Sequence, residues 1–464
     1  MSFTDRLRLV LPSRASSYER RRMRLRARRT QRLVVIVAGS VAAGAAAVLF
    51  AKLADRAQDL HTYLGSISKY GVIVLLPIGL PLAVWLTRKF APEAAGSGIP
   101  QIIAAAEGQR TMAPGKDPRT SLKTAVCKIA VCAFLLVCGA SIGREGPTVQ
   151  VTAAIVYALG ARFYGGSGRR ALLIAGGAAG VAAAFNTPIA GVVFAVEELA
   201  KGFDRRSNTV VILVVVAAGV AAYAMAGNYA YFGGLRGSTA LASSWLAAPI
   251  LGVVCGAFGG LFSRLLASVI GPKPNRVGRW KARKPVVFAF CCGLVAAVAA
   301  WLSRGLSYGA GYQETASLLA GHPGRGLPLA SFKFIASLAA AGSGAPGGIF
   351  SPSLATGAGV GALFSHMLPF FSGRDTIVLG MAAYLAGVVQ APLTSAIILM
   401  EMTRDPGLVG PLMLSTLIAR EVSSRIMPEP IYHLLSHTWR GRGPKAPQAK
   451  PVDAEPAPLQ TPRA

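Results

Sequence analysis

The sequence predicts an all-α integral membrane protein built from two related halves. Three observations predict it. Apolar runs of about 20 residues recur along the 464-residue chain, only 14% of the residues are charged, and short segments of the first half reappear about 204 positions later. A soluble domain carries about 25% charged residues, so this chain has too few to cover a water-facing surface. With 53% hydrophobic residues and a mean hydropathy of +0.50, it is neither disordered over most of its length nor a disulfide-stapled secreted module.

Charge and cysteine usage narrow the class further. Lys and Arg number 48 against 19 Asp and Glu, a net charge of +29. Such a balance on its own points to nucleic acid. Its location points elsewhere: Arg20, Arg21, Arg22, Arg24, Arg26, Arg28 and Arg29 precede the first apolar run, and Arg169, Arg170, Arg205 and Arg206 sit in short connections. Basic residues at membrane ends are what cytoplasmic placement and anionic lipid contact produce, so no nucleic acid is expected. Residues 1–32 read as a basic cytoplasmic arm with no transport role, and 33–438 as the membrane domain. Residues 439–464 read as a Pro-rich, disordered cytoplasmic tail. The six cysteines (Cys127, Cys132, Cys138, Cys255, Cys291, Cys292) lie inside apolar runs, as small buried hydrophobes do. Neither they nor the five scattered histidines make a metal site, and no cofactor is expected.

The apolar runs fall near 33–54, 70–90, 121–140, 148–160, 171–199, 208–226, 245–271, 285–304, 328–341, 354–370, 375–403 and 409–427. Their uneven lengths and internal Gly and Pro are features of broken, closely packed helices. AAAFNTPIAGVVFAVEE (Ala182–Glu198) aligns with AGVVQAPLTSAIILMEM (Ala386–Met402) at a constant offset of 204, bringing Asn186 onto Gln390, Pro188 onto Pro392 and Glu197 onto Glu401. GREGP (Gly143–Pro147) aligns with GIFSP (Gly348–Pro352) at an offset of 205. The repeat halves run from about 33 to 228 and from 229 to 438.

Three Gly-rich segments carry the chemistry: GSGIP (Gly96–Pro100), GREGP, and GAPGGIFSP (Gly344–Pro352). Each ends in Pro as an apolar run begins, and Pro is favoured in the first turn of a helix. Helices that start inside a membrane bring backbone N–H groups and positive dipole ends to one region, which makes an anion site without a buried cation. As isolated features they read as ordinary turns; three together favour the site.

Several of the acidic and basic residues inside apolar stretches admit two readings. Glu145, within GREGP, is either a helix cap or a carboxylate that occupies the anion site when ionised and leaves it when protonated. Arg144 is either its counter-charge or a snorkelling surface residue. Glu197 and Glu198 are either an interfacial pair or a relay that passes protons inward. Lys128 and Lys333 are intramembrane cations, which default to a functional role, here raising the potential along an anion path. Glu401 reads as structural.

With these residues in hand, the chain resembles the CLC family of chloride channels and proton-coupled chloride transporters over about residues 33–435. GSGIP, GREGP and GAPGGIFSP occur in family order, with both repeat segments and a Tyr near the end of the domain. The resemblance implies two inverted-topology repeats of tilted, partly re-entrant helices, and a homodimer with one pathway per subunit. It implies chloride binding by Ser97, Ile349, Phe350 and Tyr432, an external gate at Glu145 and an internal proton relay at Glu198. Glu197 precedes that relay as in some prokaryotic members. The expected function is transport rather than enzymatic turnover: proton-coupled chloride antiport, with a passive chloride channel on the same fold as the alternative. A fluoride exporter fits less well, because those depart from the Ser and Tyr pattern. Nucleotide-sensing domains are not expected, and the GC-rich residue usage points to a bacterial inner membrane.

Overall fold

The computed structural model describes residues 17–108, 117–164, 168–201, 205–227, 232, 241–321, 325–368, 370 and 373–440. Among these residues helices are the only regular elements, joined by short loops, and no strand forms. The first half comprises α1 (Ser17–Ile67), α2 (Lys69–Phe90), α3 (Ile99–Glu107), α4 (Leu122–Val137), α5 (Glu145–Tyr164), α6 (Arg169–Phe185), α7 (Pro188–Phe194) with a π-helical turn at Ala195–Leu199, and α8 (Arg205–Ala226). The second comprises α9 (Leu241–Ile270), α10 (Arg276–Arg283), α11 (Pro285–Leu302), α12 (Tyr312–Leu319), α13 (Gly326–Ser343), α14 (Phe350–Met367), α15 (Gly373–Val389), α16 (Pro392–Thr403), α17 (Val409–Ile426) and α18 (Ile431–Arg440).

Among the described residues, six helical stretches are long and apolar enough to cross a membrane: Arg21–Ile67, Tyr70–Phe90, Thr209–Ala226, Ala242–Ile270, Pro285–Leu302 and Gly326–Ser343. At 1.5 Å per residue, the 51 residues of α1 extend about 77 Å, more than twice a hydrocarbon core. Residues 17–32 of the basic arm are therefore a helical extension of the first span, and the boundary read at 32/33 falls inside a continuous helix. Residues 1–16, the repeat boundary at 228/229 and the tail beyond Arg440 lie outside the described residues.

Two apolar runs prove to be two helices each. The run 171–199 breaks after Phe185, and the run 375–403 breaks after Val389. Asn186 and Gln390 end the preceding helices with φ of 58° and 61°, and Pro188 and Pro392 open the next. Pro provides no N–H for the preceding turn and restricts the residue before it, so a helix must end there even where hydrophobicity is unbroken.

The packing is turned outward for lipid. Val41, Leu49, Val74, Ile78, Val253, Val295, Val298 and Trp301 are exposed at the periphery, while Lys128, Lys333, Gln150 and Thr394 are buried within. Helices approach closely where side chains vanish: a Cβ on Gly357 of α14 would lie 2.4 Å from the Gly380 carbonyl oxygen of α15, so that crossing tolerates only glycine. One hydrophobic core spans both halves and includes Phe185, Phe194, Phe350, Tyr384 and Tyr432.

At its centre, Gly143 and Gly348 form an antiparallel bridge. The Gly143 N–H donates to the Gly348 carbonyl at 2.8 Å, and the Gly348 N–H donates to the Gly143 carbonyl at 2.7 Å. Equivalent residues that exchange bonds in this way are related by a local two-fold axis. The two halves are inverted repeats that meet on that axis.

Candidate functional site

The three glycine-rich segments are stitched together by main-chain bonds. The Gly96 N–H donates to the Gly344 carbonyl at 3.3 Å, the Gly347 N–H donates to the Gly96 carbonyl at 3.1 Å, and the Gly143–Gly348 bridge closes the set. From this knot start α3, α5 and α14, so three helix N-termini share one buried region. Their first-turn N–H groups have no helical acceptor, which makes the region electropositive without a buried cation.

Side chains close around it. A Cβ on Gly146 would lie 2.5 Å from Ser97 Oγ, which places the Ser97 hydroxyl directly against the start of α5. Phe350 stacks on Tyr432 with ring centroids 6.0 Å apart and planes 10° from parallel. Phe185 and Phe194 pack against the same Phe350 ring. Ser97 Oγ and Tyr432 Oη are both buried and close to each other, and neither makes a well-aligned hydrogen bond among the described residues. Buried hydroxyls are normally satisfied, so this pair is poised to donate to a further group. Ile349 and Phe350, at the start of α14, complete the surround. Ser97, Ile349, Phe350 and Tyr432 are thus brought together.

Glu145 lies in the same region, 1% exposed. Its Oε1 accepts from the Tyr312 hydroxyl at 2.5 Å, and that hydroxyl lies 2.5 Å from Ser351 Oγ. Its Oε2 rests where a Cβ on residue 143 would be, 2.3 Å away, so glycine at 143 makes room for the carboxylate. Arg144 turns away from its neighbour. Its Nη1 donates to the Ala51 carbonyl and to Asp55 Oδ1, each at 2.6 Å, and its guanidinium lies 5.9 Å from the Tyr312 ring centroid.

Glu198 sits in the π-helical turn after α7, 3% exposed, and its Oε1 makes no hydrogen bond among the described residues. His433, adjacent to Tyr432 on α18, lies with Nε2 2.9 Å from the Glu198 backbone oxygen and 3.7 Å from Oε1. Glu197 points to the other half: its carboxylate accepts from the Leu393 and Thr394 N–H groups at 3.0 and 2.7 Å and from the Thr394 hydroxyl at 2.7 Å.

The two buried lysines are held by carbonyls. Lys128 Nζ donates to Ala94 at 2.9 Å, just ahead of the Ser97 segment. Lys333 Nζ donates to Ser307, Tyr308 and Gly309 at 3.3, 2.8 and 2.7 Å, which fixes the loop leading into α12.

Away from this region, Asp117 binds Arg119 through Nε at 2.9 Å and Nη2 at 2.8 Å, and also binds Arg169. Arg119 Nη1 donates to the Trp439 carbonyl at 3.1 Å, which ties α18, and so Tyr432, to this cluster. Burial pushes the Asp117 carboxyl up, but the hydrogen bonds and charge of Arg119, joined by Arg169, outweigh it and hold the group below the usual carboxylate range.

Sequence reasoning missed Tyr312, Ser351, Asp55 and His433. Ser351 lies inside GAPGGIFSP and His433 follows Tyr432, but neither was singled out there, and Tyr312 and Asp55 belong to no motif. The only signal at Tyr312 was the preceding glycine cluster (Gly309, Gly311), which breaks the chain before α12.

With this geometry in hand, comparison with known proteins is decisive. The profile of the "Voltage gated chloride channel" family matches residues 78–424. The chain belongs to this family. It is accordingly an integral membrane protein. A relative named H(+)/Cl(-) exchange transporter ClcA, from Vibrio cholerae, is 32% identical over 371 residues, covering 77% of each chain. Its namesake from Yersinia pestis is 29% identical over 466 residues, covering 94% of this chain and 93% of that one. Among solved structures, a slow cyanobacterial Cl⁻/H⁺ antiporter superposes with a TM-score of 0.75 at 25% identity, over 89% of this chain and 98% of the other. A CLC-type fluoride/proton antiporter, 20% identical over 88% of this chain and 98% of its own, superposes with a TM-score of 0.74, a likeness of fold. The voltage-gated chloride channel fold therefore spans nearly the whole of the chain.

Proposed function

We propose that the protein exchanges chloride for protons across the membrane, with Glu145 as the external gate and Glu198 as the internal proton acceptor. The observation that carries this reading is the meeting of three helix N-termini at the buried hydroxyls of Ser97 and Tyr432, with one buried carboxylate nearby at Glu145 and another at Glu198. N–H dipoles and hydroxyls bind a halide while leaving it free to move on, which a buried Lys or Arg would not. Arg144, Lys128 and Lys333 are committed to their own acceptors and act on the anion through their field alone.

Relatives named H(+)/Cl(-) exchange transporters support coupled transport over a passive channel. A buried Glu198 with an oxygen free of hydrogen bonds supports it too, because a channel needs no internal proton acceptor. A passive channel remains the alternative, separated by proton movement; Ser97 and Tyr432 argue against fluoride export. We further read the protein as a homodimer with one pathway per subunit in a bacterial inner membrane, both termini cytoplasmic. The test is purified protein in liposomes under a chloride gradient, with chloride and proton movement recorded together. Coupled, opposite movement supports exchange, and chloride movement alone makes the protein a channel.

A further inference from the structure

Tyr312 touches the gate carboxylate from an element that no sequence motif marked. It opens α12, directly after Gly311, whose φ is +87°. Three features hold it in place. Lys333 binds the carbonyls of the loop ahead of it, α12 packs on α14, and the Phe232 ring lies 6.2 Å from its own. The hydroxyl contacts are directional. A tyrosine has one O–H proton, and the 2.5 Å contact to Glu145 Oε1, an acceptor, takes it. Ser351 must then be the donor in the 2.5 Å contact to Tyr312. The result is a chain of hydroxyls, Ser351 to Tyr312 to Glu145, that begins beside Phe350 and ends on the gate.

We propose that Tyr312 is the latch of the outer gate: its hydroxyl, polarised by Ser351, holds the ionised Glu145 carboxylate inside the anion path and lets go when that carboxylate is protonated. The proposal rests on the gate reading of Glu145. A hydrogen bond to an ionised acceptor is stronger than one to a neutral acceptor, so the latch acts on the blocking form alone. Arg144 beside Glu145, Cys132 on α4 with Lys128 one turn away, and Tyr432 on α18 are the other titratable groups within electrostatic reach. Tyr312→Phe removes only the hydroxyl and keeps the ring that faces Arg144.

The experiment is chloride efflux from liposomes as a function of external pH, for wild type, Tyr312→Phe, Ser351→Ala and Glu145→Gln. Tyr312→Phe keeps the ring and removes the hydroxyl. Its flux midpoint moves up by about one pH unit, the scale of one lost charge-assisted bond, with the proton-to-chloride ratio unchanged. Ser351→Ala, which leaves Tyr312 in place, moves the midpoint the same way by less. Glu145→Gln removes the pH dependence. If Glu145→Gln is flat but neither hydroxyl variant moves the midpoint, the gate stands and the latch is wrong. If Glu145→Gln keeps the wild-type profile, the gate reading fails and the latch with it. A Tyr312→Phe variant that loses flux equally at every pH also overturns the latch, since that is the signature of a purely structural ring.

Discussion

Glu197 and Glu401 cap each other's halves. Glu197 accepts from the first turn of α16 in the second half, and Glu401 accepts from Ile189 and Ala190 in the first turn of α7 at 3.2 and 2.7 Å. The two residues are 204 positions apart, the offset of the sequence repeat, so the exchange obeys the same two-fold relation as the Gly143–Gly348 bridge. A carboxylate on helix N-terminal N–H groups satisfies orphan donors and complements the dipole.

Glu197→Ala and Glu401→Ala should therefore destabilise the fold by similar amounts, about 1–2 kcal/mol each. Both should leave the proton-to-chloride ratio at the wild-type value. Thermal unfolding in detergent measures the first, and liposome flux the second. Loss of proton coupling in Glu197→Ala alone would make Glu197 part of the proton path.

The caps also mark what the sequence could and could not reveal. The offset of 204 was legible, because Pro188 and Pro392 sit at matched helix starts where only a residue without a needed N–H is neutral. The breaks before them lay hidden inside continuous apolar runs, because hydrophobicity reports burial and lipid contact rather than where a helix ends. The meeting of the glycine-rich segments was legible for a related reason: Gly143 and Gly348 must lack side chains for the segments to touch and for Glu145 to fit. Tyr312 and Asp55 were not legible. Each reaches the surroundings of Glu145 from an element far away in sequence, and tyrosine or aspartate has many ordinary uses.

The Asp117 cluster predicts an acid-sensitive anchor for α18. The folded carboxyl titrates below its unfolded value, so its stabilisation is complete above about pH 4 and is lost as pH falls through the lower, folded value. Asp117→Asn strands two buried arginine charges and should cost on the order of 3 kcal/mol at neutral pH. Its stability should also fall less steeply on acidification below pH 4 than wild type. Thermal melts across that range check both. An equal acid slope in the two proteins would remove Asp117 from the account.

Tyr432 stacks on Phe350 and presents its hydroxyl beside Ser97. Tyr432→Ala should keep the helical fold, yet pass more chloride for each proton, because the inner closure is lost. Simultaneous electrode recordings give that ratio. An unchanged ratio would leave Tyr432 with a packing role only.

Glu145→Gln keeps the volume of the gate and fixes it in the neutral form. Chloride flux should persist and stay within about twofold where wild type changes about tenfold per pH unit of gate titration. Proton transport should vanish. A variant that still pumped protons would reduce Glu145 to a helix cap.

The central claim is that Glu198, buried beside His433 and adjacent to the tyrosine-bearing end of α18, passes protons that chloride movement drives. Proton uptake driven by a chloride gradient in liposomes, wild type against Glu198→Gln, tests it most directly. Its equivalent in the second half is Met402, so the fold itself demands no carboxylate at this position. The proposed chloride site is built from other residues and should survive the substitution. The account predicts uphill proton uptake in wild type, none in Glu198→Gln, and chloride flux in both. Chloride flux without proton uptake in wild type, or equal uptake in both proteins, would contradict it.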